Sequence, residues 1–159
     1  ADPLHGELYS ATRGGGAHRN GVPISVSTRA ELELALVATG FSYDADRRRR
    51  QAEVLARVLP YVRDMRRAGA ASIDLCWLAC GRVDGYWEPS LGPWDFSAGA
   101  LIAAEAGAVL DDLAGGPPST RFVFAAAPGI ADALLSVQFP QKKKPGTKIV
   151  AGLKSVTRR

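Results

Sequence analysis

From Leu34 to Val137 the chain alternates short apolar runs with helical patterns, and glycine or proline stands at most boundaries. LALVATGFSYD, from Leu34, has the apolar run and glycine punctuation of a buried strand ending in a loop. Asp44 and Asp46 then precede a run in which Val54, Leu55, Val58, Leu59 and Val62 repeat at helical spacing, with Pro60 placed to end or kink it. Gly69–Ser72 reads as a turn into a second helix whose apolar residues include Ile73, Leu75, Cys76, Trp77, Leu78 and Cys80, and Gly81 suits its end. Val83–Glu88 reads as a short strand, Phe96–Ala106 as a helix stopped by Gly107, and Ala108–Asp111 as a strand. Gly115–Pro118 reads as a turn, Phe122–Ala127 as a strand and Gly129–Val137 as a short helix. Such alternation favours a layered α/β core. Ahead of it, Gly6–Ser27 reads as a β-hairpin or pair of strands, with Asn20-Gly21 as a tight-turn signal and Ile24 and Val26 alternating with serines.

A chain of 159 residues suffices for one domain with a real core. No apolar run is long enough to span a bilayer, and the first residues show no signal-peptide pattern. Cys76 and Cys80 lie four apart in an apolar, helical pattern, a poor geometry for a disulfide, which favours a reduced, cytoplasmic protein. Two histidines and no C-x-x-C argue against zinc.

The net charge of +4 misleads. Residues 138–159 hold seven basic side chains and no acid, whereas residues 1–137 hold thirteen basic and sixteen acidic ones. The body is mildly acidic, so the basic balance gives no reason for the fold to bind nucleic acid. The expectation is a body of two parts, residues 1–29 and 30–137, followed by a basic, disordered tail over 138–159. Arg47–Arg50, spread around a helix, read as a solvated face.

Three places could carry chemistry. Asp95, at the start of the helix in PWDFSAGALIAAEAG, suits a helix cap and equally a rigid carboxylate ligand for magnesium, whose shell is completed by phosphate oxygens and water. Glu88, seven positions earlier, could accept hydrogen bonds from substrate hydroxyls or be a loop-edge surface acid. Gly69, Ala70 and Ala71 could offer backbone N–H groups at a helix start, or simply pack a tight turn. Asp74 could hydrogen-bond within such a site without being a ligand.

Taken together, PWDFSAGALIAAEAG and the preceding GAASIDLCWLACGRVDGYWE resemble the C-terminal half of the inositol monophosphatase family, and GELYSATRGGGAHRNGVPISVS and LALVATGFSYD are similar to its earlier strands. The resemblance covers roughly residues 2–137. It implies a layered α/β sandwich, usually dimeric, that hydrolyses phosphate monoesters with Mg²⁺ and an activated water. By the same resemblance Asp95 matches the family's C-terminal metal-binding aspartate. Glu88 matches the acid that contacts substrate hydroxyls, and Gly69, Ala70 and Ala71 match the small segment lying along the substrate.

The family's N-terminal glutamate and Asp-Pro-x-Asp-Gly-Thr motif have no counterpart. DPLHG, at Asp2–Gly6, resembles that motif only superficially, because ELYSATRGGGAHRNG, which belongs to a later strand, follows at once. The expectation is therefore a family member that begins within the first sheet and is weak or inactive alone. The substrate expected is an inositol monophosphate, with histidinol phosphate, a fructose bisphosphate or a nucleotide bisphosphate as alternatives. The rival expectations are a catalytically inactive domain and, behind it, a nucleic-acid binder acting through its tail.

Overall fold

A computed structural model describes residues 1–140; the remainder of the expected tail lies outside the described residues. Three short strands come first: β1 (Tyr9–Ala11), β2 (Ala17–Arg19) and β3 (Val22–Ile24), joined in order as an antiparallel sheet. Asn20 and Gly21 form the two-residue turn between β2 and β3, both with positive φ, as a hairpin of the hand that matches strand twist requires.

The second sheet has five strands: β4 (Leu36–Thr39), β5 (Asp64–Arg66), β6 (Gly85–Pro89), β7 (Val109–Asp111) and β8 (Phe122–Ala126). Their spatial order is β5-β4-β6-β8-β7. β4 runs parallel to both β5 and β6, whereas β8 is antiparallel to β6 and β7. The helices are α1 (Ala45–Val58), α2 (Ala71–Ala79), α3 (Pro93–Glu105) and α4 (Ala131–Gln138).

The side-chain alternation of the strands divides the core. Val37, Trp87, Phe122, Phe124 and Ala126 point to one face and pack with Val58 of α1 and Leu134 of α4. Ala38, Tyr86, Val123 and Ala125 point to the other and pack with Leu75 and Leu78 of α2 and with Phe96 and Ala103 of α3. Behind those two helices, Cys76, Ala79, Ile102 and Ala106 meet Tyr9 and Ala17 of the three-stranded sheet. The layers thus run helix pair, sheet, helix pair, sheet.

This stacking explains the sequence of α2 and α3. Each is buried between two sheets, so each is apolar around most of its circumference and lacks the single stripe that marks α1. The seam between them is close: a Cβ on Gly99 would stand 2.8 Å from Cβ of Leu75. Cys76 and Cys80 are free thiols in this layer.

Several boundaries differ from the sequence expectation for local reasons. The strand expected from Leu34 begins at Leu36, because Leu32–Leu34 closes a 3-10 turn first. Asp84, buried, receives Leu36 N–H on Oδ2 at 2.8 Å and fixes that start. β5 was not expected; it is three residues long, two of them exposed, with no apolar pattern to reveal it. The strand expected over Val83–Glu88 runs from Gly85 to Pro89. The helix expected to start at Phe96 begins at Pro93, whose fixed φ suits a first helical position. α1 ends at Val58, and Leu59–Tyr61 continues as a 3-10 turn around Pro60. Arg47–Arg50 are exposed, as a solvated face requires. Gln138, expected to open the tail, closes α4 and is fully buried. Among the described residues no helix is long and apolar enough to cross a membrane.

Candidate active-site cleft

A cleft of about 180 Å³ opens beyond the carboxyl ends of the parallel strands β4, β5 and β6. Open α/β sheets bind ligands in this position, because the loops leaving neighbouring strands diverge there. Its lining brings together Gly69, Ala70, Ala71, Asp74, Glu88 and Asp95, together with Gly40, Phe41, Tyr43, Arg67 and Leu91. All the site residues expected from the sequence therefore meet in one place, although 26 positions separate Gly69 from Asp95 in the chain.

Each is held by its own local structure. Gly69 has φ +93°, a conformation that costs a glycine nothing, and it turns the chain into α2. Ala70 is the N-cap of that helix with extended backbone, and it has no side chain to cap the first N–H groups. The Ile73 N–H bonds back to the Ala70 carbonyl at 3.0 Å, and Ala70 and Ala71 line the cleft at the helix start. Glu88 lies near the end of β6 and receives the Tyr86 hydroxyl proton on Oε2 at 2.7 Å. Gln51 of α1 pins the loop after β4: its Oε1 accepts from Ser42 N–H at 2.9 Å and its Nε2 donates to the Gly40 carbonyl at 3.1 Å.

Asp95 occupies the third position of α3, and Gly92 is the N-cap. The Asp95 carboxylate reaches back, with Oδ2 accepting from Gly92 N–H at 2.9 Å. The question of cap against ligand thus has a divided answer. One carboxylate oxygen caps the helix, and the other has no hydrogen-bond partner among the described residues.

The acids in the cleft act on one another. Burial pushes the Asp74 carboxyl up to about 7, with the neighbouring Glu88 charge adding to the shift and the Ala68 N–H and Arg67 opposing it. Burial also raises Glu88, with Asp95 adding to it; the Tyr86 hydroxyl and Arg67 oppose it. Asp74 is 1% exposed, and its Oδ1 lacks a hydrogen-bond partner. Arg67 is the cation of the cleft lining.

Sequence reasoning missed Gly40, Phe41, Tyr43, Arg67 and Leu91. They come from loops after β4, β5 and β6, and no motif links them; only the adjacency of the three strands does. A second hollow, of about 240 Å³, lies by Asp112, Arg121 and Phe122. Its carboxylate is already engaged by the Ala114 N–H and by Arg121.

Four alternating layers with an acidic cleft at the strand ends define a layered α/β protein. The family model of the inositol monophosphatase family matches residues 1–149, and the chain belongs to that family. Its sequence is 48% identical over 142 residues to the inositol-1-monophosphatase of Mycobacterium leprae, covering 86% of this chain and 49% of that protein. It is 38% identical over 138 residues to the Nus factor SuhB of Salmonella typhimurium, covering 85% of this chain and 52% of the relative. Among solved structures, Mycobacterium tuberculosis SuhB matches with a TM-score of 0.74 at 48% identity, over 82% of this chain and 53% of that one. The inositol monophosphatase from Anabaena matches with a TM-score of 0.78 at 36% identity, over 87% and 56%. The chain spans about half the length of the curated relatives it matches.

Proposed function

We propose that this chain carries the substrate-binding side and one metal ligand of a Mg²⁺-dependent phosphomonoesterase that acts on inositol monophosphate. The observation that carries the reading is the convergence of Glu88, Asp95 and the start of α2 on one cleft at the strand ends, in a chain of this family. In it, Glu88 accepts a hydroxyl of the alcohol half of the ester. The N–H groups around Gly69, Ala70 and Ala71 lie along the substrate and donate to it. The rigid backbone turn and the buried floor formed by Asp74 hold these groups in place.

Asp95 fits magnesium as one hard oxygen donor, because the oxygen not bonded to Gly92 is available to it. When bound, magnesium polarises the phosphoryl group and lowers the pKa of an attacking water. Among the described residues no group of three or more acidic, histidine or cysteine side chains could hold a metal ion. The ligand set is therefore incomplete here, and that observation favours a second reading, a domain of the family that does no chemistry by itself.

The test is phosphate release from inositol 1-phosphate, with and without Mg²⁺, by the chain alone and after addition of the unmatched half of the Mycobacterium leprae relative. Mg²⁺-dependent release that drops to background in Asp95→Asn supports the enzyme reading. Release that the substitution leaves unchanged removes Asp95 from metal binding, and no release under either condition supports the inactive domain. The two sheets also suggest the parts 1–29 and 30–137, and the family resemblance suggests a homodimer in the cytoplasm; sedimentation at equilibrium tests the dimer.

A further inference from the structure

Glu88 is held more firmly than a strand-end acid needs to be. Tyr86, two positions earlier on β6, is fully buried, and its hydroxyl donates to Glu88 Oε2 at 2.7 Å. Burial among Glu88, Asp74 and Asp95 drives the Tyr86 pKa far upward, so the phenol keeps its proton and remains a donor. On the other side stands Gly40, just past β4. A Cβ there would lie 2.0 Å from Glu88 Oε2 and 2.3 Å from Cδ, so the carboxylate rests in the space that only glycine leaves. The backbone of Gly40 does not have positive φ, so a side chain there would act by pushing the Glu88 carboxylate out of its place. Oε2 is thus occupied, while Oε1 has no hydrogen-bond partner among the described residues.

We propose that Tyr86 and Gly40 are positioning residues that seat the Glu88 carboxylate with one oxygen committed to the protein and one left for substrate, so that the site selects phosphate esters whose alcohol half carries a further hydroxyl. The inference rests on the reading of the cleft as a substrate site. A fixed single acceptor favours a hydroxylated ring over a bare alkyl or aryl group, because an ester without that hydroxyl would cover Oε1 and take its water without giving it a donor. Loss of the seat weakens this preference and leaves the phosphate contacts alone.

The experiment follows the Glu88 side-chain carboxyl by carbon NMR in the full chain, in Tyr86→Phe and in Gly40→Ala. Each protein is studied free and then titrated with inositol 1-phosphate or phenyl phosphate in the presence of Mg²⁺. The expected result has three parts. The free Glu88 resonance moves in both variants; inositol 1-phosphate perturbs it in the parent chain and phenyl phosphate does not. Affinity for inositol 1-phosphate falls about tenfold in both variants, the scale of one hydrogen bond to a charged group, while that for phenyl phosphate holds. A Glu88 resonance unmoved in the free variants overturns the seating. An equal loss for both esters overturns the selectivity and leaves a structural role. A resonance that responds to the substitutions but to neither ester leaves the seating in place and overturns the reading of the cleft as a substrate site.

Discussion

The two sheets of this protein are covered to different extents. In the five-stranded sheet both faces are covered, and all five residues of β8, Phe122–Ala126, are buried. In the three-stranded sheet one face lies on α2 and α3 through Tyr9 and Ala17, while Val22 of β3 remains 63% exposed and Leu8, ahead of β1, 59% exposed. A sheet covered on both sides reads as a continuous apolar run, and one covered on a single side reads as alternation. The difference also decides where chemistry can sit. The cleft opens at the strand ends of the sheet that is clamped between two helix layers.

The sharpest way to break this comparison is to remove volume from each sheet. Phe124→Ala empties the core between β8 and the α1/α4 layer and should cost about 3–5 kcal/mol in urea unfolding. A cost near zero would mean that the five-stranded sheet is not the stabilising layer.

The next effect sits at the cleft itself. The Asp74 carboxyl is held up to about 7 from an ordinary 3.8, so the folded chain binds its proton more tightly than the unfolded chain does. The stabilisation is present below about pH 4 and is lost as pH rises through about 7. Asp74→Asn should therefore match the parent near pH 4 and exceed it in stability at pH 8, by roughly 2–4 kcal/mol without added divalent metal. Unfolding curves at pH 4, 6 and 8 check it; a variant less stable at pH 8 would mean that the folded state favours the charged form.

The smallest effect belongs to the open face. Val22→Ser should change unfolding free energy by no more than about 0.5 kcal/mol, since the side chain is mostly in water already. A loss comparable to that of Phe124→Ala would show that this face is covered in solution and would end the contrast between the sheets.

Much of this was legible beforehand, for reasons that differ by element. Helix α1 carries a period, an aspartate cap at Asp44 that accepts from Arg47 N–H, and a proline beyond its end, so local rules suffice for it. The turn at Asn20-Gly21 needs only two residues that tolerate positive φ. Asp95 and Glu88 were visible because they lie inside a continuous stretch that resembles a family. β5 escaped because three half-polar residues become a strand only when Leu36–Ala38 lies beside them. Asp95 as a reciprocal cap of Gly92, rather than the first cap itself, escaped because helix starts drift by a residue or two and Pro93 sets this one.

By itself the sequence determined the order of the helices and of every strand of the large sheet except β5, the family, and which acids to suspect, since each of these is written in contiguous residues. Tertiary structure alone decided that Gly40 and Arg67 belong with them, because the cleft is made by the side-by-side ends of three strands distant along the chain. It also decided the state of those acids: burial raises Asp74 and Glu88, and burial is a property of the neighbours that the fold assembles.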